Sequence, residues 1–200
     1  PSARVNLSLG EFQDLARKAS RGVGFAWGEA DEIGQAARWL AAHQQPSGEA
    51  LAVLLKQVDA GLPAERCPIR LGCRFADHVL KVTEAPQEHS NLVAPLFLLP
   101  FLSWALSSAA AGAIEINETK GSALSVLTPG GLREQTGSWP EIASVRLRLF
   151  SVNALPKPYP TAKRIDLHPS DQITLAAFAT RTLAPETEER RRFGAGGREE

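Results

Sequence analysis

The stretch from Asn91 to Thr128 constrains this chain more than any other, because it is the most apolar part of the sequence. Leu92 to Ala111 is hydrophobic on every side, so a helix built from it must be buried on every side. Beyond it the period changes to two. Ile114-Glu115-Ile116-Asn117 and Ser122-Ala123-Leu124-Ser125-Val126 alternate on either side of Glu118-Thr119-Lys120-Gly121, a pattern that predicts a β-hairpin. A buried helix packed on an antiparallel hairpin is a core that the rest of the chain can cover. The apolar run is almost long enough to cross a bilayer, which takes about 20 residues. However, Pro95 and Pro100 interrupt it, Ser103, Ser107 and Ser108 follow, and the nearest cations, Lys81 and Lys120, are too far away to anchor it. The run therefore reads as a soluble core, with Pro100 opening the true helix as its first residue.

Helices dominate what precedes this core. Ser8 with Glu11 forms a capping box, and Leu9, Phe12, Ala16 and Ala19 recur at helical spacing through Ser20. A second helix begins near Trp27 or Gly28, carries Glu29, Asp31 and Glu32 in its first turn, and ends near His43. A third, capped by Ser47, runs until Gly61 and Pro63 stop it. Between Cys67 and Val82 the period is lost, and Leu71 to Phe75 is read as a strand and Pro86 to Asn91 as a loop. Beyond the hairpin, Arg133 to Pro140 reads as an exposed loop. Val145 to Leu149 is a strand with one wet face, on which Arg146 and Arg148 lie and Glu115 is a candidate partner. Arg164 to Leu167 is a short strand, and Ser170 caps a last helix that ends before Pro185. The expectation is one α+β domain over 1–192, with N-terminal helices and a C-terminal helix on a mostly antiparallel sheet, and a Gly-rich tail over 193–200.

Composition excludes several classes. The 200 residues carry 22 basic and 22 acidic side chains, so no basic excess points to nucleic acid. Two cysteines, Cys67 and Cys73, are too few for a disulfide framework. The first residues, PSARVNLSLGEF, lack the apolar segment of a signal peptide, and the chain reads as cytoplasmic. No H-E-x-x-H, G-x-S-x-G or P-loop occurs. Cys67 and Cys73 lack a zinc spacing, so neither a metal nor another cofactor is expected. Asp77-His78 nearby permits a Cys/His nucleophile on paper, but a solitary cysteine in apolar surroundings reads first as a small core residue. His43, His89 and His168 fall at element ends or in loops, the usual place of solvated or capping histidines.

Two loops use arginine, tryptophan and glycine in ways that a core does not require. Arg21-Gly22-Val23-Gly24-Phe25-Ala26-Trp27-Gly28 departs from G-x-G-x-x-G spacing, and the helix after it opens with carboxylates that would repel a phosphate. A tight interhelical turn is one reading. The other is a site in which Arg21 holds a carboxylate and Trp27 forms a wall. The second loop spans Arg181 to Gly196. Candidate ligand-binding residues are therefore Arg21, Trp27, Glu29, Arg181, Thr182 and Glu188, with the two arginines expected to share one pocket.

Both loops also carry a family resemblance. Leu15 to Gly24 with Trp27-Gly28 and Ala37-Arg38-Trp39-Leu40 resembles the opening of a bacterial family known only as a domain of unknown function, family 3726. Ala94-Pro95 and Leu99-Pro100-Phe101 are similar to its middle, and Ala179 to Gly196 to its closing motif. The closing motif carries over at Arg181, Thr182, Pro185, Glu188, Arg191, Gly194 and Gly196. The chain departs from it at Leu183, where an aromatic is usual, and at Arg190, where a small polar residue is usual. Gly197-Arg198-Glu199-Glu200 replaces the family's acidic ending. The resemblance implies a compact cytoplasmic bacterial protein and brings no chemistry with it.

Two classes of function remain open. One is binding, or metal-independent conversion, of a small acidic metabolite. The other is a non-catalytic accessory subunit or interaction module, with a protein partner or a second copy of the chain. Neither involves nucleic acid or a membrane. A concave pocket favours the first, and a flat apolar patch favours the second.

Overall fold

The computed structural model describes residues 4–107, 112–151 and 157–182. A short strand β1 (Val5–Ser8) leads directly into α1 (Leu9–Gly22), whose capping box is formed as the sequence suggests. The Ser8 Oγ accepts the Glu11 N–H at 3.2 Å, and the Glu11 carboxylate accepts the Ser8 N–H at 2.7 Å. Two further helices follow, α2 (Trp27–Ala42) and α3 (Ser47–Asp59), the latter with Pro46 rather than Ser47 in the capping position. The helices cross closely where side chains vanish. A Cβ on Gly34 of α2 would lie 3.0 Å from the Gln13 carbonyl of α1.

The next segment corrects the sequence reading. Residues 68–76 form a helix, α4 (Pro68–Ala76), and not a strand over Leu71 to Phe75. Ile69, Leu71, Gly72 and Phe75 are its buried face, a helical spacing opened by Pro68 in the first turn. The presumed loop over Pro86 to Asn91 is largely an edge strand, β2 (Gln87–Val93), irregular between His89 and Leu92 and with Asn91 at φ +55°. The apolar run that follows is a 3₁₀ turn (Pro95–Phe97) and then α5 (Leu98–Ser107). The helix thus begins two residues before Pro100. Leu98, Phe101, Leu102 and Leu106 are all buried in the main core, as the run demands.

The expected hairpin is β3 (Ala113–Glu118) and β4 (Ala123–Thr128), and the wet-faced strand is β6 (Ile142–Phe150). Between them lies a strand the sequence did not announce, β5 (Gly131–Gly137), where an exposed loop was expected. Its side chains are mostly polar because it is an outer strand, and glycines at φ +102° and +67° bound it. The five strands are all antiparallel, in the order β2-β6-β3-β4-β5. Ile114, Ile116, Val145 and Leu147 face the core. On the opposite face Arg148 grips Glu115 at 2.9 Å, the pairing the alternation suggested. β7 (Arg164–Leu167) pairs with β1 as a separate two-stranded ribbon. Finally α6 (Pro169–Thr180), capped by the His168 ring rather than by Ser170, lies against α1. Helices and antiparallel sheets around one buried layer make this an α+β fold.

Candidate functional site

The two unusual loops can be placed first. Gly22 ends α1 and Phe178 lies in the last turn of α6. A Cβ on Gly22 would fall 1.8 Å from the Phe178 carbonyl oxygen and 3.4 Å from the Arg181 Cβ. The backbone after Arg21 therefore touches the end of α6 beside Arg181. The guanidinium groups, however, have separate partners. Arg21 donates through Nη1 to the Phe25 carbonyl and lies over the Trp27 ring at 4.4 Å, while its buried Nε has no partner. Arg181 is bidentate to Asp59 at the end of α3, at 2.5 and 3.1 Å, and lies 4.7 Å from the Phe178 ring centre. This contact holds the Asp59 carboxyl below its ordinary value.

The other candidates serve local structure. Trp27 is 62% exposed at the start of α2. Glu29 closes the first turn of α2 by accepting the Ala26 N–H at 3.1 Å, with Arg70 3.9 Å away. Thr182 donates to the Ala179 carbonyl at 2.7 Å. Glu188 lies outside the described residues, as do the motif positions from Leu183 onward.

Cysteine and histidine sites are also occupied by structure. Cys67 is buried, and burial raises its thiol. Cys73 is pushed far up, first by burial and then by donating its S–H to Glu32 at 2.8 Å. Neither is a thiolate at neutral pH, so neither is poised as a nucleophile. His89 stands edge-on to Phe75 with its Nε2 buried and unpartnered, and burial followed by the nearby Arg74 lowers its pKa. This corrects its reading as a solvated or capping residue. His43 packs on Trp39, and burial lowers its pKa too. Among the described residues no group of three His, Cys, Asp or Glu is placed to hold a metal ion, and no helix is long and apolar enough to cross a membrane.

Open space lies elsewhere. A cleft of about 410 Å³ is bounded by the start of α3, by the turn into the 3₁₀ segment, and by the connection from β5 to β6. Pro46, Ala50, Val53 and Leu96 give it apolar walls, and Trp139 and Pro140 close one side. The Trp139 indole N–H points to Gln135 Oε1 at 3.2 Å and to Ser125 Oγ at 3.3 Å. The Ser125 hydroxyl itself donates to the same Gln135 oxygen. This network fixes the orientation of the ring. Glu49 and Glu141 are exposed residues of its lining.

Ala94, on the cleft wall, has φ +47° and ψ 57°, a left-handed conformation that a residue with a Cβ enters at a cost. The proline that follows makes helical geometry harder still. Two backbone bonds hold it there, from its own N–H to the Glu141 carbonyl at 2.6 Å and from the Phe97 N–H at 3.0 Å. Strain of this kind, held by its surroundings, gathers at functional sites. On the far side of the start of α3 a larger polar groove, about 830 Å³, shares Gln45, Pro46 and Glu49 with the cleft. It mixes Arg4, Arg164 and His168 with Asp166 and Asp171.

None of Arg21, Trp27, Glu29, Arg181 and Thr182 lines either space. The sequence reading missed the cleft because it placed residues 133–140 in an exposed loop. The available signal was the Trp139-Pro140 pair.

Residues 7–84 match the family described as "Protein of unknown function (DUF3726)". The match covers α1 to α4 and hence the α3 wall of the cleft, while the Ala94 and Trp139 walls lie beyond it. No curated protein and no solved structure gives a match.

Proposed function

We propose that this chain, whose residues 7–84 match that family of unknown function, binds a small organic molecule in the cleft between α3 and the β5–β6 connection. The carrying observation is Ala94. A strained residue is pinned by the backbone of residue 141 at the wall of a concave, half-apolar space, beside a tryptophan whose orientation is already fixed. Such pre-formed, mostly apolar concavities with a few oriented polar groups are the usual form of small-molecule sites. Among the described residues that line the space there is no cysteine, lysine or histidine, so binding is favoured over covalent catalysis.

An acidic metabolite at Arg21 and Arg181 is the weaker version of the proposal. Arg181 is already committed to Asp59, and Arg21 retains only part of its donor set. The accessory-subunit reading has less support. Trp27, Val79, Ile142 and Ile173 are large and exposed, but they belong to four separate segments.

A thermal-shift screen of metabolites tests the proposal, since a ligand that binds only the folded state raises the melting temperature. The expected hit loses its effect in Ala50→Leu, which fills the cleft. A hit that keeps its full effect in that variant rejects the cleft, and a hit lost on Arg21→Ala instead moves the site to the α1–α2 loop.

A further inference from the structure

We infer, resting on the cleft reading above, that the molecule taken there is an organic cation: an ammonium or guanidinium group on a flat apolar body. Three observations agree. Glu49 and Glu141 contribute two carboxylates, and among the described residues no lysine, arginine or histidine lines the cleft. The carboxylates come from different walls, the first turn of α3 and the last residue of the β5–β6 connection, so a cation between them is drawn by both. A negative side chain in a first helical turn is explained by the helix dipole, which accounts for Glu49 without a ligand. Glu141 has no such account, because its structural duty is carried by its backbone carbonyl on Ala94.

The third observation is Trp139. Its N–H is spent on Gln135 and Ser125, so its contribution to the cleft is the ring itself. A tryptophan ring is the best aromatic partner for a cation. The remaining wall, from Ala50, Val53 and Leu96, suits hydrocarbon rather than a second charge. Among the described residues an anion in the same place meets two like charges and no counter-charge. The basic residues of this region, Arg4 and Arg164, line the neighbouring groove beyond the start of α3.

The test titrates the full chain with three probes that share one body, namely benzylamine, benzyl alcohol and benzoate, read by calorimetry at low salt. Benzylamine, protonated at neutral pH, is expected to bind at least about tenfold more tightly than benzoate. Raising the salt narrows the gap, because the carboxylates are exposed. In Glu49→Gln/Glu141→Gln the gap closes while benzyl alcohol is unaffected, and Trp139→Leu weakens all three. The single substitutions, each expected to close part of the gap, serve if the double variant does not fold. Benzoate binding as tightly as benzylamine, or a gap that survives the double substitution, overturns the cation while leaving the cleft standing. If no probe binds at millimolar concentration, the cleft reading fails and the cation with it.

Discussion

Two places in this molecule bring irregular backbone against the helical layer, and they have opposite contents. At the joint of α1 with α6, Gly22 leaves no room between its backbone and the Phe178 carbonyl, and Arg181 is clamped on Asp59. Beside α3, the Ala94 turn and the β5–β6 connection stand back and leave about 410 Å³ open. The joint holds the residues that look functional in the sequence: arginine, glycine and an aromatic in unusual order. The cleft is made of residues that look ordinary. Conspicuous glycines and arginines here mark a close approach of two backbone segments, where a side chain does not fit and a charge ties the ends together. An open space is marked by what holds walls apart, in this case a strained alanine and a braced tryptophan.

The largest expected effect breaks the joint. Gly22→Ala adds one carbon where a backbone oxygen stands 1.8 Å away, and backbone cannot rotate aside as a side chain can. Such overpacking should cost about 3 kcal/mol or more. Gly10→Ala, on the same helix with nothing within 4 Å, is the control and should stabilise by up to about 1 kcal/mol. Urea titrations of both variants decide the matter. Equal, small effects would mean that α6 is not seated on α1 and that the contrast between joint and cleft is false.

A smaller effect sharpens the other side. Ala50→Leu adds three carbons to a residue on the cleft wall, and there they enter open space. Stability should stay within about 0.5 kcal/mol of the parent, as for a substitution that meets no packed neighbour. Binding of benzylamine should be lost. A destabilisation comparable to that of Gly22→Ala would show that the cleft is closed in solution.

The same contrast explains what was legible in the sequence. α1, α2 and α3 carry a wet face and a dry face, so their period was visible, as was the cap of α1, whereas Ser47 proved to be the first residue of α3 and not its cap. β3 and β6 were visible because apolar and polar residues alternate along them, and β4, buried on both faces from Ser125 to Thr128, was found as the partner of β3 across the turn. β2 and β5 are outer strands, with ladder bonds on one side only, and β2 is broken by its irregularity at His89 to Leu92. Their side chains answer to solvent, and no period survives to be read. The cleft depends on β5 and on the segment after it, so it was lost with that strand. Ala94 illustrates the limit in another way. Alanine before proline gives no hint of a left-handed backbone, because the bonds that enforce it come from residues 97 and 141.

The smallest effect tests the charge that closes the joint. Arg181 donates to Asp59 and holds its carboxyl below the ordinary range, whose unfolded value is about 3.9. A carboxyl depressed in the folded state contributes stability that is fully present above the unfolded pKa. The contribution is lost as pH falls through the folded pKa, because the proton then displaces the arginine. Both groups are well exposed, at 48% and 39% of their side-chain surface, so solvent screens the pair and the effect is modest. Asp59→Asn should therefore melt slightly below the parent at pH 7, and the two curves should converge when the pH is taken well below 4. Other depressed carboxyls, such as Asp14 beside Lys18 and Arg17, remain in both proteins and cancel in the difference. Melting curves at several pH values and low salt measure that difference directly. A gap that persists unchanged in acid would assign the loss to packing around Phe178 rather than to the ion pair. The joint would then be held by its shape alone, as the fit of Gly22 against the Phe178 carbonyl already suggests for its other half.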